Sequence, residues 1–238
     1  THPTHIEQAL PRRIERLLRR LPPTRTYHVA CSGGADSMAL LDVVASLRGR
    51  LHAFVRAIHV NHGVAEQADD WEALVVEFCA RHAIPLSRLR VDLASEASGF
   101  EARARAARYA AIGTEIDMDE TVLSAHHRDD QSETLLLRLL RGAGPEGLAA
   151  IPERRPLGRG WLVRPCLTTS RVELEAYCRA KGLDWADDPS NVNRRFRRNF
   201  IRHEILPRLE SHWPGAGRVM ARAARVQGET QGLLEEVA

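Results

Sequence analysis

The 238-residue chain is 44% hydrophobic and 27% charged, and its 34 Lys plus Arg against 31 Asp plus Glu leave a net +3, which admits one large domain or a domain with an appendage. No apolar run approaches the ~20 residues of a membrane-spanning helix, and the N-terminus lacks the apolar segment of a secretory signal. Cys31, Cys79, Cys166 and Cys178 stand far apart with no C-x-x-C pair, which argues against zinc, iron–sulfur or disulfide frameworks and points to the cytoplasm.

In chain order, residues 1–23 read as a short amphipathic basic helix. Thr26 to Ala30 is predicted as a first strand running into a glycine pair, and Met38 to Leu47 has helical apolar spacing. Phe54 to Val60 is β-branched and short enough for a second strand, closed by Asn61-His62-Gly63. Ala68 to His82 predicts a helix with Trp71, Leu74, Val75 and Phe78 on one side. Leu86 to Val91 predicts a third strand and Phe100 to Ile116 a long helix. Thr121 to Ala125 is the fourth strand, and a helix begins near His126–Asp130 and continues to Leu140. Strand and helix alternating at βαβ spacing predict an α/β fold with a doubly wound parallel sheet.

After Arg141 the regularity breaks, and residues 141–160 read as a glycine- and proline-rich loop. A short strand (Trp161 to Arg164), a helix (Ser170 to Lys181), an arginine-rich stretch (Asn191 to Arg202) and helices over Asn199 to Leu209 and Val219 to Val237 complete the prediction. The expected organisation is a basic helix over 1–23, a sheet domain over 24–210 and a helical extension over 211–238. Ending inside helical sequence points to a truncation or a missing downstream domain.

Ligands of open parallel sheets bind beyond the carboxyl ends of the strands. Three polar clusters are expected there: Cys31-Ser32-Gly33-Gly34-Ala35-Asp36-Ser37, His59-Val60-Asn61-His62-Gly63, and His126-His127-Arg128-Asp129-Asp130-Gln131-Ser132-Glu133. The first suits an anion, with backbone N–H groups and a helix N-terminus facing inward and the hydroxyls of Ser32 and Ser37 as donors. It is neither a Walker loop nor G-x-G-x-x-G. Asp36 is out of place against bare phosphate, so either a hard cation accompanies the anion or Asp36 is a helix-start residue favoured by the dipole. Asp129 likewise reads either as a functional carboxylate or as a helix cap, with Asp130 and Glu133 complementing the dipole. Adjacent His126 and His127 point apart on a strand end and find no third ligand at metal spacing.

Lys181 is the only lysine, which a GC-rich genome would also produce. Arginines concentrate at Arg103, Arg105 and Arg108, and again at Arg194, Arg195, Arg197, Arg198 and Arg202 around Phe196. Such a cluster is either a solvated face or an RNA contact, and Phe196 either stacks on a base or packs as a buried staple. Glu101 and Arg105, one turn apart, also read as a surface ion pair.

The hexapeptide Ser32-Gly33-Gly34-Ala35-Asp36-Ser37 resembles the signature of the PP-loop ATP pyrophosphatase superfamily. The resemblance narrows to the tRNA(Ile)-lysidine synthetases through an ordered series covering roughly residues 25–210. It comprises His59 to Gly63; Glu101 with Ala104-Arg105 and Arg108-Tyr109; and His126-His127-x-Asp129-Asp130-Gln131-x-Glu133-Thr134. It continues with Arg141-Gly142-x-Gly144-x-x-Gly147-Leu148, Arg164-Pro165, Arg171-x-Glu173, Asp188-x-Ser190-Asn191 and Arg198-Asn199-x-x-Arg202. Cys166 departs from the aliphatic residue more usual there and is expected to pack as a small hydrophobe.

The resemblance implies a Rossmann-like PP-loop domain that splits ATP between the α- and β-phosphates. It implies adenylation of C2 of the wobble cytidine in the CAU anticodon of tRNA(Ile), then displacement of AMP by free L-lysine, which converts the tRNA from methionine to isoleucine specificity. ATP would be held by Ser32, Gly33, Gly34, Ala35, Asp36, Ser37, His59 and His126. Mg2+ would be held by Asp36 with Asp129 or Asp130, and the lysine ammonium by Glu133. The tRNA would meet Arg105, Arg108, Arg141, Arg194, Arg195, Arg197, Arg198 and Arg202. A membrane partner is not implied, and a homodimer is left open. A tRNA thiolase is a rival whose cysteine or cluster spacing is lacking. An enzyme adenylating a small molecule would need no tRNA, and a noncatalytic RNA-binding module would retain the loop only as a relic.

Overall fold

The computed structural model describes residues 5–61, 67–91 and 100–237, with the side chains of 100–102, 190, 192 and 235–237 outside the description. His62 and Gly63, and the side chain of Glu101, therefore lie outside the described residues. The chain divides into two compact units, one of residues 1–125, 154–165 and 173–186, the other of 126–153, 166–172 and 187–238.

The first unit is built on a six-stranded sheet. Its elements are α1 (His5–Leu18), β1 (Thr26–Ala30), α2 (Ala35–Leu47), β2 (Phe54–Asn61), α3 (Ala68–Arg81), β3 (Leu86–Arg90), α4 (Phe100–Thr114), β4 (Glu120–Ser124), β5 (Arg154–Leu157) and β6 (Gly160–Val163). The strand order is β3-β2-β1-β4-β6-β5, parallel throughout except for the β5–β6 pair. The doubly wound parallel sheet is thus present. β1 sits centrally, and Ala30 at its carboxyl end is in register with Ile58 on β2 and Ser124 on β4. All three strands therefore end toward one rim.

Two of the differences from the sequence expectation bear on the sheet and its glycine loop. β5 lies in the stretch read as loop, because Pro156 and the glycines around it carry turn signals. Proline is tolerated on an edge strand, and β5 is the antiparallel edge, with Leu157 opposite Gly160. A Cβ at Gly160 would sit 2.3 Å from the Glu120 carbonyl oxygen, so only glycine lets β6 lie this close to β4. The second difference is that α2 starts at Ala35, three residues before the expected Met38, with Gly34 as an extended N-cap. Eleven of its 13 residues are buried, which is the mark of a helix apolar on nearly every side.

α1 follows its amphipathic pattern, burying Leu10, Ile14 and Leu18 at every fourth position. Beside the sheet, Ile58, Ile112, Ile116, Val122, Leu157 and Leu162 form one buried cluster. Each such side chain contributes about 1.5–3 kcal/mol relative to exposure.

The second unit contains α5 (Arg128–Leu139), α6 (Pro145–Leu148), a helical run of α8 (Arg197–Phe200), a π-turn (Ile201–Ile205) and α9 (Leu206–His212), and α10 (Ala216–Val237). α7 (Arg171–Lys181) has its first two residues in this unit and the rest in the first. Among the described residues, no helix is long and apolar enough to cross a membrane.

Candidate active site

In the first unit the loop after β1 is held in shape by Ser37. Its buried hydroxyl donates to the Gly34 carbonyl (2.9 Å), accepts from the Ser32 backbone N–H (3.1 Å) and lies 3.2 Å from the Ser32 hydroxyl. Ser37 was expected to donate to phosphate, but here its proton is spent inside the loop. Ser32, exposed, is the hydroxyl that faces outward. Gly33 has φ +90°, and a Cβ there would stand 3.0 Å from the Trp71 carbonyl oxygen of α3. Glycine is needed both for the left-handed backbone and for the approach of α3. The Gly33 carbonyl in turn accepts from the Ala186 N–H at 2.9 Å.

The early start of α2 puts Asp36 in its first helical turn, half-buried and with Oδ1 shielded from solvent. The carboxylate complements the positive end of the helix, and its oxygens have the hardness a magnesium ion prefers. Below the loop, the Cys178 thiol of α7 donates to the Ala35 carbonyl (3.3 Å), and the Tyr177 hydroxyl donates to Asp42 of α2 (2.6 Å). Burial, with Asp36 and Asp42 nearby, pushes Cys178 up to about 12, so it stays a thiol. Cys31 and Cys166 are buried as well, the latter packing as expected of a small hydrophobe.

His59 ties β2 to the same loop. Its Nδ1 lies 2.9 Å from the Cys31 carbonyl, and since a carbonyl only accepts, Nδ1 carries the proton. Burial holds the imidazole below its ordinary range against the pull of that carbonyl and Glu72. A neutral His59 therefore presents Nε2 as an acceptor. At the end of β2, the Asn61 amide donates to Asp69 and Glu72 of α3.

A second group of residues in this unit surrounds Tyr109. The guanidinium groups of Arg105 and Arg155 lie 5.3 and 4.8 Å from its ring centre, and buried Arg164 hydrogen-bonds it. Burial lowers Arg164 from the arginine range, with Tyr109 opposing and Arg155 and Arg105 reinforcing. Arg108 is exposed, yet atoms crowded around its guanidinium lower it too. Sequence reasoning missed Arg155, because Arg154-Arg155 fell in the stretch taken for loop.

In the second unit, α5 opens with four consecutive buried polar residues, Asp130, Gln131, Ser132 and Glu133. Each has partners, as buried polar groups require. Gln131 exchanges two hydrogen bonds with the Ile151 backbone (2.7 and 2.8 Å), and Ser132 donates to the Gly217 carbonyl of α10 (3.1 Å). Glu133, wholly buried, receives Arg202 through both oxygens (2.6 and 3.1 Å) and Arg198 Nε at 2.6 Å. Arg198 reaches on to Asp130 Oδ1 at 2.9 Å. The remaining Asp130 oxygen accepts the His127 N–H (2.9 Å), while the His127 ring accepts the Asp130 N–H.

This arrangement gives several of the expected site residues partners within the unit. The N-cap of α5 is His127, in a reciprocal capping box with Asp130, and not Asp129. Asp129 accepts the Arg171 N–H at the start of α7 (2.9 Å). Arg198 and Arg202, expected to face tRNA phosphates, are turned onto buried carboxylates. Both Asp130 oxygens take N–H donors, from His127 on one side and the arginines on the other, so Asp130 is an arginine partner in this structure. Burial alone would raise Asp130, but His127, Arg198, His126 and the His127 N–H together hold it well below the usual carboxylate range. The signal that could have revealed the pairing was the i,i+4 spacing of Arg198 and Arg202 matched to the i,i+3 spacing of Asp130 and Glu133. Among the described residues, no three His, Cys, Asp or Glu side chains gather as a metal site.

Of the other residues singled out, His126 is half-buried and Arg141 exposed. Arg194 pairs with Glu204, whereas Arg195 and Arg197 are exposed.

A parallel sheet whose central strand feeds a glycine-rich loop and a helix N-terminus defines a nucleotide-binding α/β protein. Residues 6–209 match the PP-loop domain, and the chain belongs to that family. It is 48% identical over 227 residues to a tRNA(Ile)-lysidine synthase of Pseudomonas fluorescens, covering 94% of this chain and 51% of that protein. With the tRNA(Ile)-lysidine synthase of Pseudomonas aeruginosa the identity is 49% over the same shares of the two chains. The chain thus spans about half the length of the curated relatives it matches. Among solved structures, a U34-tRNA thiolase from Methanococcus maripaludis, with its [4Fe-4S] cluster, superposes with a TM-score of 0.76 at 16% identity, over 94% of this chain and 79% of that one. That likeness concerns the fold.

Proposed function

We propose that this chain carries the ATP-using part of a tRNA(Ile)-lysidine synthase, acting on the wobble cytidine of the CAU anticodon. The observation that carries the reading is its 48% identity to such a synthase across 94% of its length, with the PP-loop sequence intact. Working on tRNA, the protein would act in the cytoplasm.

In this reading ATP lies with its phosphates against the loop, where the Ser32 hydroxyl and the α2 N-terminus face developing charge at the α-phosphate. Asp36 would hold Mg2+, which when bound neutralises phosphate charge as pyrophosphate leaves. Ser37 keeps the loop in shape, and Gly33 gives it the necessary backbone. Neutral His59 offers Nε2 as an acceptor for a nucleotide N–H or hydroxyl. In the second unit, Asp129 spends one oxygen on Arg171 and is the carboxylate proposed to meet the incoming lysine ammonium. Glu133, first expected to bind lysine, is assigned to holding Arg198 and Arg202. Arg105, Arg108 and Arg155 are proposed to meet RNA phosphates, together with exposed Arg141, Arg195 and Arg197.

The deciding assay pairs ATP–pyrophosphate exchange with incorporation of radiolabelled lysine, with and without tRNA bearing the CAU anticodon. Expected is ATP-dependent lysine incorporation only when that tRNA is present. Pyrophosphate release indifferent to tRNA, with no lysine incorporated, would overturn the reading in favour of a small-molecule adenylating enzyme.

A further inference from the structure

The arginine-rich run after residue 190 separates into two faces that the sequence alone did not distinguish. Arg198 and Arg202 turn inward onto Glu133 and Asp130, with side chains only 24% and 18% exposed. Asn199 is buried and donates to the Asn193 carbonyl at 3.0 Å, pinning the turn that precedes α8. His203 donates to the Asn191 carbonyl at 2.9 Å from the other side. The backbone of this segment is therefore anchored from beneath by four residues.

What faces outward is different in kind. Phe196, the N-cap of α8, and Phe200, its last residue, stand 45% and 47% exposed, one helical turn apart. Exposed Arg195 and Arg197 flank Phe196, and neither forms an ion pair among the described residues. Two rings left half in water on an anchored segment are not core residues, which removes the reading of Phe196 as a buried staple. A ligand with π-faces and negative charge matches such a surface: unpaired nucleotides, whose bases stack on aromatic rings while arginines meet the phosphates. An acidic protein surface would satisfy the arginines but would have no particular use for two flat rings at helical spacing.

We infer that Phe196 and Phe200 form a stacking platform for unpaired bases of single-stranded or loop RNA, with Arg195 and Arg197 on the adjoining phosphates. The inference deepens the tRNA reading above and rests on it for the identity of the RNA. The platform itself is tested with oligonucleotides, without ATP or lysine.

The probe is an RNA hairpin of anticodon-stem-loop size carrying 2-aminopurine in its loop, compared with a fully paired RNA duplex of equal length. The wild-type chain should bind the hairpin more tightly than the duplex and change the 2-aminopurine fluorescence as the base stacks. Phe196→Leu/Phe200→Leu keeps apolar surface but removes the rings. It should weaken hairpin binding at least 10-fold and abolish the fluorescence change, leaving duplex binding and the thermal melt as in wild type. Phe196→Trp/Phe200→Trp should restore both signals. Arg195→Ala/Arg197→Ala should instead lower the salt slope of binding by about 2 while keeping the preference for hairpin over duplex.

Equal hairpin affinity and an unchanged fluorescence signal in the Leu variant would overturn the inference. So would a loss shared equally by duplex, or loss of a concentration-dependent self-association in place of RNA binding. A hairpin that stacks yet never receives lysine would leave the platform standing and remove the synthase reading. Lysine incorporation by the wild-type chain, with no 2-aminopurine fluorescence change on hairpin binding, would do the reverse.

Discussion

Glu133→Gln should destabilise the second unit more than its nearly isosteric change suggests. Glu133 is fully buried and accepts three charge-assisted hydrogen bonds from Arg198 and Arg202. A glutamine keeps one acceptor and turns an N–H₂ donor toward the other guanidinium, so one bond is lost and a donor faces a donor. Breaking a buried pair by removing one partner costs roughly 3–5 kcal/mol. The arginines are 18–24% exposed and recover some hydration, which places the expected loss at the lower end, about 3 kcal/mol. For a chain of this size that corresponds to a fall in Tm of roughly 6–12 °C. Circular dichroism melts of wild type, Glu133→Gln, Arg202→Met and the double variant complete the test. The cycle should show coupling above about 1 kcal/mol, because the double variant removes both the charge and one of its partners. A Glu133→Gln melt within a degree of wild type, or strictly additive single effects, would refute the view that this cluster organises the unit.

Two further outcomes follow from named geometry. Asp130 has a folded-state pKa held below its unfolded value of roughly 3.9. Its stabilisation is therefore fully present above that unfolded value and is lost as pH falls toward the folded one. Urea titrations from pH 6 to pH 2 should show stability declining below about pH 4–5, and Asp130→Asn should flatten that decline; an unchanged slope would remove Asp130 from the account. Gly33→Ala forces a side chain into a left-handed backbone position 3.0 Å from the Trp71 carbonyl oxygen. ATP affinity by calorimetry should fall at least 10-fold while the melt shifts by only a few degrees, and unaltered affinity would mean the loop does not hold the nucleotide.

Much of the architecture was legible in the chain because the relevant physics is local. β1 was bounded correctly and β2 to within a residue, since short β-branched runs ending in turn residues have few alternatives. The glycine loop after β1 was legible because two glycines between hydroxyls at a strand-to-helix junction are costly elsewhere. β5 was not, because a proline that disqualifies a central strand is harmless on an edge, and edge position is a property of the assembled sheet. Gly160 likewise looked like a turn glycine until β4 was seen to pass within contact of it.

The sequence by itself determined the fold class, the loop that suits an anion and the family to which the chain belongs, all carried by residues near one another in the chain. Only the tertiary structure decided what the charged residues do. Arg195, Arg197, Arg198 and Arg202 are equivalent as sequence, yet two are spent on buried carboxylates more than sixty positions away and two remain outward. Asp129, Asp130 and Glu133 were likewise interchangeable acids until their donors were known: a backbone N–H for the first, guanidinium groups for the others. The free energy of a charge depends on burial and on partners that folding delivers from distant segments. That information is absent from local composition.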